Sequence, residues 1–315
     1  MAFVAVLSVL DYYGLPEPIL ATSLVVALLA ALFALGVNAG TLQASEFYLA
    51  GRAIPAGQNG IATAAAAISS LVLLGVGGAA FNGLAAAAAL TTGLALGFLA
   101  LSVLVAPYVR KSSAFGIADF FGIRYGGRGV RIAGAIAVVA VTLPALAAAI
   151  AAAAFALVLM VGIASSIALW IVILIVLSAT VLGGLKALTR TALAEYAVMA
   201  IAIVGPAAVI SWVEYGWPLP FLTFGAATNG SDLLALAGGS DLAPAGTTTF
   251  APATNGASAI AVLIVLAAGI AALPQLVMRS ATVRGADRAR WSAAWALLAV
   301  LIVALTAPAY PAFAR

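Results

Sequence analysis

Residues 58–81 read QNGIATAAAAISSLVLLGVGGAAF. The stretch is apolar and long enough to cross a bilayer, which takes about 20 residues of helix. Yet Ser69 and Ser70 sit near its middle, and Gly75, Gly77 and Gly78 follow within two turns. Glycine costs about 1 kcal/mol relative to alanine inside a helix, so three in close succession predict a helix that is closely packed or broken. A broken helix at membrane depth is where ions and solutes bind, because the freed backbone carbonyls need partners. The competing reading is a packing face, since small residues let helices approach closely.

The rest of the composition fixes the surroundings of that helix. Hydrophobic residues make up 66% of the chain and charged residues only 7%, against about 25% charged in soluble domains. The sequence therefore describes an all-α integral membrane protein, with the lipid bilayer as its first partner. It contains no histidine and no cysteine. This excludes Ser–His–Asp and Cys–His catalysis, Cys/His zinc sites and disulfides, and no enzyme reading survives. No organic cofactor is implied. The net charge of +4 falls in loops between spans and does not indicate nucleic acid.

Eight segments are long enough to span: about 18–39, 59–81, 84–106, 130–155, 160–183, 191–212, 258–278 and 291–311. Residues 1–17, with Asp11, Glu17 and two prolines, read as a short interfacial segment ahead of one transmembrane domain, 18–315. The odd-numbered connections hold Arg52; Arg110, Lys111, Arg124, Arg128 and Arg131; Lys186 and Arg190; and Arg279, Arg284, Arg288 and Arg290. That is twelve of the thirteen basic residues. The positive-inside rule then puts the odd-numbered loops in the cytoplasm and both termini outside, in what is expected to be a bacterial inner membrane. The connection 213–257 is long and rich in Gly, Ser, Thr and Pro, with a short helix expected over Leu233–Ala237.

Several polar and helix-breaking residues inside these spans are candidates for function. Ser69 and Ser70 line a cavity or bond back to the preceding turn. Glu195 is an ionisable group in or near the membrane, which marks functional sites by default; Arg190 and Lys186 are its nearest partners in sequence. Pro274 removes a donor from the seventh span and breaks or kinks it, and Gln275 beside it is a candidate cavity-lining group. Asp119 is expected to pair with Arg124 or Arg128, and Pro144 and Pro206 to act as kinks.

Four stretches together resemble the sodium:solute symporter family, specifically its acetate-permease-like branch. They are SEFYLAGRAIPAGQNGIATAA (45–65), APYVRKSSAFGIADFFGIRYGGRGVR (106–131), GGLKALTRTALAEYAVM (183–199) and GIAALPQLVMRSATV (269–283). The resemblance implies a LeuT-like core of two inverted five-helix repeats preceded by one extra helix. The chain would hold the extra helix, a full first repeat and two helices of the second, an incomplete, truncated core. It implies symport of a small solute such as a monocarboxylate, with Na+ as the coupling ion. By motif position the backbone carbonyls of Ala65 and Ile68 would be cation ligands, and no other metal is implied. The hydroxyl half of the family's sodium site has no counterpart in these residues. Where the branch carries an acidic residue and a tryptophan this chain has Ala66 and Ala67. Val72 and Ala192 likewise stand where polar residues occur, and Glu195 stands where glutamine is common. On this reading another membrane chain, or a second copy, supplies the remaining helices. The alternative is a non-transporting subunit or scaffold derived from a symporter.

Overall fold

The structure is a computed structural model, and it describes residues 16–38, 40, 43–68, 76, 84–222 and 256–313. The helices in chain order are α1 (Glu17–Asn38), α2 (Ala44–Leu49), α3 (Ala56–Ala67), α4 (Leu84–Ala100), α5 (Ala106–Lys111), α6 (Ile117–Tyr125), α7 (Arg128–Val161), α8 (Ser165–Tyr215), α9 (Gly256–Ala272), α10 (Pro274–Arg279), α11 (Ala286–Thr306) and α12 (Ala309–Phe313). A π turn over Leu101–Val105 joins α4 to α5 without a loop. Among the described residues the only β pairing is one isolated bridge between Ile54 and Val283. Helices follow from composition: lipid offers backbone groups no partners, so a span must satisfy its own hydrogen bonds.

Among the described residues, four helices are long and apolar enough to cross a membrane: Ala87–Lys111, Arg128–Val161, Gly183–Tyr215 and Ala286–Thr306. The pair Leu263–Ala272 and Pro274–Thr282 is long and apolar enough only when taken together, and it turns by 47° at its break. These are the third, fourth, sixth, eighth and seventh segments expected from the sequence. The first and fifth form helices whose apolar cores, Thr22–Gly36 and Ser165–Ser178, are shorter than the spans expected. The interfacial segment lies outside the described residues apart from its end, where Glu17 begins α1. Most of the long connection, including 233–237, also lies outside them.

The sequence predicts a loop carrying Lys186 and Arg190 between the fifth and sixth spans. Instead α8 runs through, broken only at Gly184 (φ 52°, ψ −151°). That conformation is open to glycine alone at low cost. The position has a second constraint: a Cβ there would lie 2.5 Å from the backbone oxygen of Phe47. Lys186 and Arg190 are therefore helical, in the first turns after the break. Pro144 and Pro206 sit inside α7 and α8, and neither ends its helix.

Helix packing divides the described chain into two groups. α3 lies along α11 and α4 along α9, with α5 and α10 closing the same group. α8 packs on α1, α3, α7 and α2, so it joins this group to the rest of the bundle, and α6 folds back on α7. The core between them gathers Ala64, Ala67, Ile68, Phe98, Leu101, Leu276, Val277, Ala296 and Val300, with Tyr196, Met199 and Ile203 of α8 against it. Two tyrosine hydroxyls cross from group to group. Tyr196 donates to the carbonyl of Ala299 at 3.0 Å, and Tyr310 to that of Ile203 at 2.6 Å.

The odd-numbered connections meet at one end of the bundle. Arg52 donates to the carbonyl of Ser113 at 2.7 Å and lies over the Phe115 ring. Arg110 donates to the carbonyls of Val283 and Arg284. Ile54 N–H donates to the Thr282 carbonyl, and Lys186 pairs with Glu46 at 2.7 Å. Asp119 pairs with Arg131 at 2.5 Å, not with Arg124 or Arg128. The turn at Gly126 and Gly127, both at positive φ, folds α7 back against α6 and brings Arg131 beside the first turn of α6.

Candidate functional site

The site is built where α3 ends. Pro55 precedes the helix in an extended conformation (φ −60°, ψ 144°), and α3 stops at Ala67. Ile68 leaves the helical region (φ −79°, ψ 58°) while its N–H still donates to the Ala64 carbonyl at 2.8 Å. The last four carbonyls of an α-helix have no intrahelical partner, and that end carries about half a negative charge. The Ala65 carbonyl belongs to this set. Ala65 is half-buried and Ile68 is 4% exposed, so cation-friendly backbone lies inside the bundle. Ser69, Ser70, Gly75, Gly77 and Gly78 lie outside the described residues.

The second helix interruption faces the same core. α9 ends at Ala272, Leu273 adopts φ −57°, ψ 120°, and Pro274 opens α10. The 47° turn falls at this proline, where the missing N–H cannot continue the ladder. Pro274, Leu276 and Val277 are buried, while Gln275 between them is exposed. Leu276 and Val277 share one apolar cluster with Ala64, Ala67 and Ile68. The two interruptions thus converge on a single core, whereas Gln275 lies outside that cluster.

Below the break, towards the charged end, a polar node holds the helices in register. Asn59 is 1% exposed. Its Nδ2 donates to the Arg279 carbonyl at 2.9 Å and to Ser292 Oγ at 2.7 Å, and its Oδ1 accepts from Thr282 Oγ1 at 2.8 Å. Thr63 Oγ1 donates to the Asn59 carbonyl at 2.6 Å. Next to it, a Cβ on Gly60 would lie 2.5 Å from the Ser292 carbonyl oxygen, so α3 and α11 touch through their backbones there. Sequence reading does not single out Asn59. The available signal is an uncharged amide beside a glycine in an apolar span, a pairing that favours close interhelical contact.

Glu195 lies on α8 after the break and is exposed. Lys186, one of its expected partners, is engaged by Glu46, and no ion pair joins Glu195 to Arg190 among the described residues. Its electrostatic partner is Arg279. Arg279, expected in a connecting loop, is the last residue of α10 and is only 7% exposed. Ala192, one turn earlier on α8, is buried at 4% exposure. No group of three or more acidic, His or Cys residues able to hold a metal occurs among the described residues.

A helical membrane bundle in which the end of α3 and the bent α9–α10 pair meet in one core defines a class: integral membrane proteins built like secondary transporters. Residues 47–312 match the sodium:solute symporter family, and the chain belongs to that family. It is similar to a monocarboxylic acid transporter of Corynebacterium glutamicum, 28% identical over 298 residues, covering 91% of this chain and 54% of the relative. It is also similar to an uncharacterized symporter of Cupriavidus necator, 29% identical over 197 residues, covering 61% of this chain and 29% of the relative. The fold matches a substrate-bound, outward-open Na+-coupled sialic acid symporter with a TM-score of 0.53 at 13% identity, over 93% of this chain and 72% of that one. The chain spans about half the length, or less, of the curated relatives it matches.

Proposed function

We propose that this chain is the larger part of a sodium-coupled symporter that moves a small monocarboxylate by alternating access. The observation that carries the reading is the convergence of two helix interruptions, at Ala67–Ile68 and at Leu273–Pro274, on one buried cluster. The carbonyls of Ala65 and Ile68 serve the coupling Na+, and Ser69 and Ser70, which lie outside the described residues, serve the solute path. Sodium coupling is supported by family membership and by the name of the structural neighbour, and the carboxylate by the name of one relative. The charged end faces the cytoplasm by the positive-inside rule.

The core is completed by further helices, from a longer polypeptide, a partner membrane chain or a second copy. α7 supports this: only 11% of its apolar span is buried, against 50% for α11. Its exposed surface includes Ala147, Ala148, Ala149, Ala151 and Ala153, and small residues suit a helix neighbour better than lipid. A second reading, a non-transporting subunit, is favoured by alanine at 66, 67 and 192, where the resemblance implies an acidic residue, a tryptophan and a polar residue.

The test is reconstitution in proteoliposomes, alone and with candidate partner chains, followed by labelled-acetate uptake under sodium and proton gradients. Sodium-driven uptake supports the symporter. Gradient-independent, background-level uptake in every combination sinks it, and co-purification with an unrelated membrane complex then supports the scaffold.

A further inference from the structure

A cavity of about 630 Å³ lies at the charged end, between the last turns of the span Ala87–Lys111 and helix α6. The span lines it with Leu104, Val105, Tyr108 and Lys111, spaced three or four residues apart so that they share one helix face. Helix α6 lines it with Phe120, Ile123 and Arg124, which again share a face. Hydrogen bonds hold the two walls in place. Ser102, in the π turn, donates to the Arg290 carbonyl at 3.0 Å. In the connection between the walls, Arg52 donates to the Ser113 carbonyl at 2.7 Å, and Asp119 accepts from the Phe115 N–H at 3.2 Å. Val105 and Phe120 rest on the main core. Leu104, Tyr108 and Ile123 are 64%, 63% and 55% exposed, so the cavity opens away from that core.

Polarity is graded along this cavity. Leu104 lies seven residues before Lys111, about 10 Å along a helix at 1.5 Å per residue. One end is therefore apolar at the depth of the span, and the other carries charge. The lining holds two cations, Lys111 and Arg124, and no carboxylate. Both cations are exposed, and neither belongs to an ion pair among the described residues. Asp119, the acid of α6, is engaged by Arg131. Basic pockets between membrane helices hold anionic headgroups, and a guanidinium fork matches phosphate geometry. Tyr108, between the two ends, is the amphipathic ring that favours headgroup depth. We propose that the cavity binds one anionic phospholipid, with its phosphate between Lys111 and Arg124 and an acyl chain along Leu104 and Ile123. A small soluble anion would leave the apolar wall unused. An apolar protein helix laid here would bury both cations without partners, which is costly. The site is independent of whether the chain transports a solute.

The test is native mass spectrometry of the detergent-solubilised chain, titrated separately with phosphatidylglycerol, phosphatidylcholine and glycerol 3-phosphate. Expected is one retained phosphatidylglycerol, bound about tenfold or more tightly than phosphatidylcholine, with the preference shrinking as salt rises. Lys111→Gln and Arg124→Gln together should abolish the preference. Arg288→Gln, an exposed cation outside the lining, should leave it within about twofold. Leu104→Trp, which fills the apolar wall and keeps both charges, should weaken phosphatidylglycerol about fivefold. If the double variant does not fold, Leu104→Trp and the salt series on the parent decide. Equal retention of the two lipids overturns the proposal, as does a preference that survives the double variant. Glycerol 3-phosphate binding as tightly as the lipid overturns it in favour of a plain anion site. A dimer that dissociates in the double variant overturns it in favour of a second copy. None of these readouts involves uptake, so their failure leaves the transport reading untouched.

Discussion

Asn59 and Arg279, 220 positions apart, are joined by a 2.9 Å hydrogen bond from a side-chain amide to a main-chain carbonyl. The bond ties the first interrupted helix to the far end of the second. With Ser292 and Thr282 it makes α3, α10 and α11 one unit at the charged end.

Replacing Asn59 by alanine removes the amide donor to the Arg279 carbonyl and to Ser292 Oγ and the Oδ1 acceptor of the Thr282 hydroxyl, leaving only the Thr282-to-Arg279 bond between Arg279, Thr282 and Ser292 of the buried node. Each unsatisfied buried group costs about 1–3 kcal/mol. We expect a clear drop in the thermal midpoint of the detergent-solubilised protein. Asn59→Asp should be at least as damaging, because it loses both donated hydrogen bonds and buries a carboxylate against a carbonyl. An unchanged midpoint in both variants would show that the node does not hold the helices.

Gly184→Ala should destabilise by about 1–3 kcal/mol from backbone strain alone. The clash of its Cβ with the Phe47 carbonyl adds to this. The check is again thermal unfolding, compared with Gly205→Ala, where a Cβ meets nothing within 4 Å. The control should be neutral or slightly stabilising, and equal effects at both positions would contradict the assigned conformation.

Removing the Pro274 ring by substitution with alanine restores an N–H donor where α9 turns into α10. The 47° bend should then relax, lengthening the distance between labels at I264C and R284C. If the bend persists unchanged, packing of Leu276 and Val277 holds it, not the proline.

Lys186 and Glu46 keep side-chain exposures of 32% and 31%. A pair this accessible is worth at most about 1 kcal/mol. Lys186→Ala should lower stability slightly and the loss should shrink at high salt. A loss well above that, unaffected by salt, would mean that the pair is shielded in the membrane.

Hydropathy suffices for the third, fourth, sixth and eighth spans because each is an uninterrupted apolar run. Pro274 marks the turn in the seventh, since loss of a backbone donor is a local property of one residue type. Pairings are not legible in the same way. Sequence proximity favours Arg124 or Arg128 for Asp119, whereas the fold-back that delivers Arg131 depends on two glycines at positive φ between them. Glu46 and Lys186 are 140 positions apart, and no local pattern connects them. The junction of the fifth and sixth spans reads as a charged loop, because Lys186 and Arg190 are polar. The structure concentrates the whole interruption in Gly184 and leaves the lysine and arginine helical.

Tyr196 and Tyr310 each end on a main-chain oxygen, at Ala299 and Ile203. Such an acceptor is supplied by every amino acid, so changes at 299 or 203 that preserve the helix leave the bond intact. Only the tyrosine side of each contact is under chemical constraint. Among relatives these two links would therefore leave a mark at single positions and none in paired substitutions. Methods that infer contacts from correlated change would pass over the hydrogen bonds that tie the two helix groups together.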